Sequence, residues 1–278
     1  MGGVHFAKGH GTGNDFVLLP DVADAITLTP ELVRALCDRH TGIGADGVLR
    51  VVRGSSGRWF MDHHNADGSP AEMCGNGIRL YARYLVDHHL AAPGAIVVQT
   101  RGGDKILTVP VTGDVTVDMG APVLSGHAHE LSVGTTSGLT GLAVDMGNPH
   151  LVVRVDDADL DGLDLTVPPV VSPPLPTGVN VELVSLTGPR ALRMRVHERG
   201  VGETRSCGTG ACAAVVAASR WTGWAPGDAA AVWDVAVPGG DLQVTWTGET
   251  VLLAGPATLV AQGEVHLGAL GLALADAG

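Results

Sequence analysis

A chain of 278 residues, 45% hydrophobic and 17% charged, buries roughly three-quarters of its unfolded surface on folding, which excludes both a disordered segment and a stapled miniprotein. Its net charge of −12, from 17 Lys and Arg against 29 Asp and Glu with no basic run, argues against a nucleic-acid partner, and no apolar stretch reaches the ~18 residues of a membrane span. Four cysteines are too few for a disulfide framework, and Met1-Gly2-Gly3-Val4-His5-Phe6 has neither a signal-peptide pattern nor a myristoylation signal, so a cytoplasmic location is expected.

In chain order, Thr29-Pro30 supplies an N-cap followed by proline at the first helical position, predicting a helix over residues 31–40 that stops before Gly42. Gly42-Ile43-Gly44-Ala45-Asp46-Gly47 matches a dinucleotide fingerprint in letters. It follows a helix and precedes a strand, however, the reverse of what pyrophosphate binding requires, so it reads as a sharp connection. Strands are expected over residues 48–52, 95–100, 106–111, 115–119, 142–146, 151–155, 179–185, 192–197, 242–247 and 250–254, each β-branched or apolar and bounded by Gly, Pro or Asp. A helix over residues 78–88 is expected to keep Arg79, Arg83 and Asp87 on a solvated stripe. Residues 211–219, apolar or small nearly all round, suit a helix buried on every side with a sheet wrapped around it. The proline-rich residues 167–176 read as an extended loop.

The chain also repeats itself. Met61-Asp62-His63-His64-Asn65 lies over Met194-Arg195-Val196-His197-Glu198, and Cys74-Gly75-Asn76-Gly77 over Cys207-Gly208-Thr209-Gly210, both at a shift of 133 without a gap. Gly13-Asn14-Asp15-Phe16 follows the pattern of Gly147-Asn148-Pro149-His150 at a shift of 134, and Thr41-Gly42-Ile43 that of Thr177-Gly178-Val179 at 136. Landmarks in one order at a near-constant offset predict two homologous halves.

Each Cys-Gly-x-Gly turn precedes a helix-like segment, where backbone N–H groups and the helix dipole lower a thiol pKa and receive an anion. A cysteine is more often a small buried hydrophobe than a nucleophile, yet two at duplicated positions are harder to assign to packing. With the halves related by a pseudo-twofold axis, two thiols poised near neutral pH would face one cleft, a geometry suited to moving a proton on both faces of one carbon. The helix N–H groups would stabilise charge building on an adjacent carboxylate. Cys37 and Cys212 read as core residues. The 12 histidines show no H-E-x-x-H or other metal-ligand spacing, so no metal is expected, and a thiol redox or metal-binding protein is the weaker alternative from another class. Facing thiols would oxidise to a disulfide, so activity is expected to depend on reductant. Asn14, Asn65, Asn148, Asn180 and Glu198-Arg199 sit among the landmarks. Most such residues form turns or satisfied surface contacts, and for Asn14 and Asn65 turn geometry and ligand contact both stand.

His10-Gly11-Thr12-Gly13-Asn14-Asp15-Phe16, Asn65-Ala66-Asp67-Gly68-Ser69, Met73-Cys74-Gly75-Asn76-Gly77-Ile78-Arg79, Gly147-Asn148-Pro149-His150, and the segment from Glu198-Arg199-Gly200 to Cys207-Gly208-Thr209-Gly210 resemble the diaminopimelate epimerase family over most of the chain. The resemblance implies an α+β fold of two pseudo-symmetric halves, each a mixed β-sheet curled around a central helix. Residues 1–119 would form the first half and 120–261 the second, with 262–278 returning to the first. It also implies a homodimeric epimerase, independent of PLP and metal, that interconverts LL- and meso-2,6-diaminopimelate for lysine and peptidoglycan synthesis. By position, Cys74 and Cys207 match the acid/base thiols, and Gly75, Asn76, Gly208 and Thr209 the donors at the reacting end. Asn14, Asn65, Asn148 and Asn180 match substrate-contacting asparagines, Glu198 and Arg199 the amine- and carboxylate-binding pair, and His150 with Glu198 the residues that support the thiols. Gly47 departs from the pattern, because some members carry a glutamine there that contacts substrate. A proline racemase or hydroxyproline epimerase on the same fold is the nearer alternative. Those chains place an Asp-Arg-Ser-Pro type of segment where this one reads Glu203-Thr204-Arg205-Ser206.

Overall fold

The computed structural model describes residues 3–175, 178–225 and 227–270; Thr177 of the repeat and residues 271–278 of the expected return lie outside them. The chain divides into two units, Met1–Val117 with Pro256–Gly278, and Asp118–Gly255.

The first unit runs through strands β1 (Val4–Gly11) and β2 (Asn14–Pro20), helix α1 (Pro30–Cys37), β3 (Gly47–Arg53), β4 (Trp59–Asn65), α2 (Gly75–Asp87), β5 (Gly94–Thr100) and β6 (Gly103–Val109) into β7 (Val115–Gly120). Neighbours pair in that order: β1 with β2 antiparallel, β2 with β3 parallel, β3 with β4 antiparallel, β4 with β5 parallel, then β5 with β6 and β6 with β7 antiparallel. The sheet packs around α2 through β1, β2, β3 and β6. Along β1, Ala7, Gly9 and Gly11 are the inward residues, the period of two expected of a strand with one covered face. A Cβ on Gly9 would lie 2.6 Å from Leu80 Cδ1 of α2 and 2.6 Å from the Thr258 carbonyl oxygen, so this glycine sets how closely the helix approaches.

Two expectations for this unit are corrected. The stripe of α2 expected to be solvated is buried at both arginines. Arg79 donates to the Gly75 carbonyl at 3.0 Å and to Asn76 Oδ1 at 2.9 Å, and Arg83 reaches the carbonyls of Pro110, Val111 and Gly113; protein oxygens take the place of water. Helix α1 ends at Cys37 instead of continuing to residue 40, because the Asp38 carboxylate accepts the N–H groups of His40 and Thr41 and the Thr41 hydroxyl, a local turn that competes with the helix. The segment 42–47 connects α1 to β3, as the rejected fingerprint required.

The second unit comprises β8 (Val123–Val133), β9 (Thr136–Asp145), β10 (Pro149–Arg154), the one-turn α3 (Asp157–Leu160), β11 (Val170–Ser172), β12 (Asn180–Gly188), β13 (Ala191–Glu198), β14 (Gly202–Thr204), α4 (Gly208–Trp221), β15 (Ala231–Val237), β16 (Gly240–Trp246) and β17 (Val251–Gly255). From β9 through β10, β12, β13, β15, β16 and β17 the pairings run antiparallel, parallel, antiparallel, parallel, antiparallel, antiparallel, the same succession as β1 to β7. The registers correspond as well: Phe16 opposes Gly47 in the first unit and His150 opposes Asn180 in the second. The seven strands from β9 to β17 in that succession all pack on α4, whose residues from Ala211 to Ser219 have no exposed surface. The proline-rich run is not loop throughout. Its central residues Val170–Ser172 form β11 against β8, since the three residues between the proline pairs keep N–H groups for a ladder.

The last strand, β18 (Thr258–Val265), pairs antiparallel with β1 and packs on α2 in the first unit. The return therefore starts at Pro256, earlier than the expected residue 262, and the second unit begins at Asp118. Among the described residues no helix is long and apolar enough to cross a membrane.

Candidate active site

In the first unit Cys74 is the N-cap of α2, with extended backbone and a sulfur that accepts the Gly77 N–H at 3.4 Å. Its thiol donates to Asn14 Oδ1 at 3.5 Å, the oxygen that also receives the Asn76 amide at 3.5 Å. The Asn14 amide nitrogen in turn donates to Asp46 Oδ2 at 2.8 Å. A carboxylate only accepts, so Asp46 fixes which way the Asn14 amide faces and leaves Oδ1 toward the thiol. Asp46 and Asp15 are both held by Arg39, at 2.7 and 2.8 Å, and Asp15 also by Lys8 at 2.6 Å. Burial works against the Asp15 charge, but the hydrogen bonds and charges of Arg39 and Lys8 prevail and hold its carboxyl well below the usual range.

Asn65, by contrast, ends β4 exposed, its amide donating to Ser69 Oγ at 3.1 Å within a turn. It lies opposite Gly47 in the β3–β4 register. A Cβ on Gly47 would sit 2.6 Å from the His64 carbonyl oxygen and 3.3 Å from His63 Nε2, so the backbone and His63 close this position to a longer side chain.

In the second unit Cys207 caps α4 in the same way, accepting the Gly210 N–H at 3.4 Å. Its sulfur lies 3.5 Å from Thr209 Oγ1, and the Asn148 amide donates to that hydroxyl at 3.4 Å. Asn148 Oδ1 is 3.1 Å from His150 Nε2, and His150 Nδ1 is 2.6 Å from Glu182 Oε1. Neither the imidazole nor the carboxylate has exposed side-chain surface. Asn180, opposite His150, accepts the Arg199 backbone N–H at 2.9 Å, and Glu198 accepts the Thr204 hydroxyl. The structure thus places Asn14 at Cys74, with Asn76 bonded to the same asparagine, and Thr209 at Cys207, with Asn148 and His150 reached through that hydroxyl. Gly75 and Gly208 are the first residues of the two helices, whose leading N–H groups lack partners within the helix.

One expectation about the thiols is overturned. Cys207 was expected to be depressed toward neutrality by its helix terminus, but burial first, then the charges of Glu198 and Glu182, push it well above the ordinary thiol range; the Thr209 hydroxyl and the Gly210 N–H offset only part of this. Cys37 is buried, and desolvation pushes its thiol up to about 12. Among the described residues no group of His, Cys, Asp and Glu is clustered to hold a metal ion.

Sequence reasoning missed Glu182 and Asp46. The signal for Glu182 was an acid in an otherwise apolar run, Val181-Glu182-Leu183-Val184, on a strand buried from Asn180 to Ser185. Asp46 was hidden in the segment set aside as a chance fingerprint.

A family model described as diaminopimelate epimerase matches residues 6–125 and 142–260, one stretch in each half. The chain is 47% identical to the diaminopimelate epimerase of Acidothermus cellulolyticus over 97% of this chain and 98% of that one. It is 48% identical to that of Streptomyces coelicolor over 94% and 95%. Among solved structures, a hydroxyproline epimerase from Agrobacterium vitis with bound trans-4-hydroxy-L-proline superposes with a TM-score of 0.70 over 99% of this chain and 96% of that one; at 14% identity this likeness concerns the fold.

Proposed function

The chain belongs to the diaminopimelate epimerase family, and from that premise we propose that it interconverts LL- and meso-2,6-diaminopimelate by two-thiol proton transfer, in lysine and peptidoglycan precursor synthesis. The observation that carries this reading is the duplicated N-cap cysteine, Cys74 on α2 and Cys207 on α4, each beside an asparagine at the matching repeat position, directly at Asn14 and through Thr209 at Asn148.

In this mechanism one cysteine, as thiolate, takes the α-hydrogen as a proton. The C–H electron pair stays on Cα and spreads onto the adjacent carboxylate, where first-turn N–H groups from the helix ends stabilise the charge. The other cysteine, as thiol, delivers its proton to the opposite face, so each turnover exchanges the two roles. Burial and two carboxylates favour the protonated form of Cys207. Asn65, Asn180, Glu198 and Arg199 would bind the distal amino-acid group, the arginine gripping its carboxylate bidentately. No cofactor or metal enters this scheme, and the family resemblance adds a cytoplasmic homodimer, which sedimentation would test.

Proton NMR of the reduced protein in heavy water tests the reading directly, with LL-diaminopimelate in one sample and L-proline in another. Loss of the α-hydrogen and appearance of the meso isomer only with diaminopimelate is expected. Exchange only with proline would move the substrate to the proline racemase class, and exchange with neither in folded, reduced protein would overturn the epimerase assignment.

A further inference from the structure

We propose that Glu182 is a positioning residue of the epimerisation, acting through His150 and Asn148 to orient the Thr209 hydroxyl at Cys207. The inference rests on the epimerase reading above. Four contacts carry it: Glu182 Oε1 to His150 Nδ1 at 2.6 Å, His150 Nε2 to Asn148 Oδ1 at 3.1 Å, the Asn148 amide to Thr209 Oγ1 at 3.4 Å, and Thr209 Oγ1 to Cys207 Sγ at 3.5 Å.

The fold itself does not require this chain. At the matching repeat positions the first unit has Phe16 for His150 and Leu49 for Glu182, and these side chains fill the same place under the helix. A Cβ on Gly77 of α2 would meet Phe16 Cζ at 3.3 Å and Leu49 Cδ2 at 3.4 Å, whereas a Cβ on Gly210 of α4 would meet Glu182 Oε1 at 2.6 Å. An apolar pair therefore packs this site in one half of the molecule. Replacing both partners of a buried hydrogen bond by apolar groups of similar shape is often nearly neutral or stabilising, so the polar pair in the second half calls for a reason other than stability. Its local cost is visible, since Glu182 Oε2 has no hydrogen-bond partner among the described residues.

These four contacts lead to the Cys207 thiol, so the effect is expected on the isomer whose hydrogen that thiol handles. The charged and titratable groups of this unit at Cys207 are Glu198 from β13, Glu182 from β12 and, bonded to Glu182, His150 from β10. Glutamine at 182 keeps an oxygen for His150 Nδ1–H and removes the charge, whereas leucine removes both.

The experiment measures α-hydrogen exchange in heavy water separately for the LL and meso isomers, with wild type, Cys207→Ala, Glu182→Gln and Glu182→Leu. Circular dichroism establishes folding, and the pH profile of kcat/KM is taken for wild type and Glu182→Gln. Glu182→Gln is expected to slow exchange about tenfold from the isomer that Cys207→Ala also fails to exchange, and by less than about threefold from the other, with KM nearly unchanged. Its thiol-dependent limb shifts to lower pH, because a carboxylate beside Cys207 is gone; Glu182→Leu is slower still on the same isomer. Equal slowing of both isomers in Glu182→Gln, or wild-type exchange with a wild-type pH profile, would overturn the positioning role while leaving the epimerase reading intact. Absence of diaminopimelate exchange in the wild type would remove the reading and this inference together.

Discussion

Cys207 and Cys74 share a helix position but differ in burial and in the hydrogen-bond partner of the sulfur. Burial with Glu198 and Glu182 disfavours the Cys207 thiolate, while Cys74 is only half-buried and donates to a neutral amide. Replacing either cysteine by alanine should abolish epimerisation and leave α-hydrogen exchange on one isomer, a different isomer in each variant. Identical loss from both isomers in both variants would refute separate faces. Asp46 gives a second prediction, because its carboxylate sets the orientation of the Asn14 amide whose oxygen meets the Cys74 thiol. Asp46→Asn allows that amide to turn, and kcat/KM should fall about tenfold, the ~1.4 kcal/mol of one well-placed hydrogen bond, in steady-state assays of protein with native circular dichroism. A change below twofold would show that Asn14 is oriented by other means.

The helices α2 and α4 carry the same cap, but what lies beneath them differs, and glycine substitution reads the difference. Alanine is the better helix former by about 1 kcal/mol. At Gly77 the new methyl would meet the Phe16 and Leu49 side-chain ends at 3.3–3.4 Å, a shortfall of a few tenths of an ångström that offsets the helix propensity gained, so Gly77→Ala should change stability little. At Gly210 it would drive into the Glu182 carboxylate at 2.6 Å, and Gly210→Ala should destabilise by about 1–3 kcal/mol in urea unfolding. Elements with a strong local pattern were legible in sequence: α4 from its unbroken apolar composition, the two cysteine turns from their repeat, and β3, β5 and β12 from β-branched runs. β4 was not, although its sequence Trp59-Phe60-Met61-Asp62-His63-His64-Asn65 served as a repeat landmark. Asp62, His63 and His64 are buried there, with Asp62 held by Arg50 and Arg101, so polar residues occupy core positions and the hydrophobic period disappears. The arginines of α2 misled for the complementary reason: Arg83 is held by carbonyls more than 25 residues away in sequence, invisible to an i,i+4 pattern, and Arg79 turns back onto the Gly75 carbonyl and the Asn76 side chain of its own first turn.

At the scale of the whole molecule, acid sensitivity should concentrate in the first unit. His63 is pushed down to about 4 by burial and by the neighbouring His64 and Arg101, so the unfolded chain takes up its proton first; the stability it contributes is complete above pH ~6.5 and lost as pH falls toward 4. Asp15 acts in the same direction lower down, its contribution present above pH ~3.8 and lost as pH falls further. Hydrogen exchange between pH 7 and 3 should therefore show amides of β1 to β4 losing protection before those of β12 and β13, and Asp15→Asn should flatten the dependence below pH ~3.8. The pairing of β18 with β1 has a consequence for how the protein is made. The unit encoded second, Asp118–Gly255, is one uninterrupted stretch, whereas the unit encoded first needs residues 258–265 to cover β1. Domains usually fold in the order in which the ribosome delivers them. Here the later-translated half can finish first, and the amino-terminal half carries an open strand edge until β18 has been translated, a window in which a chaperone or a neighbouring nascent chain has an edge to bind.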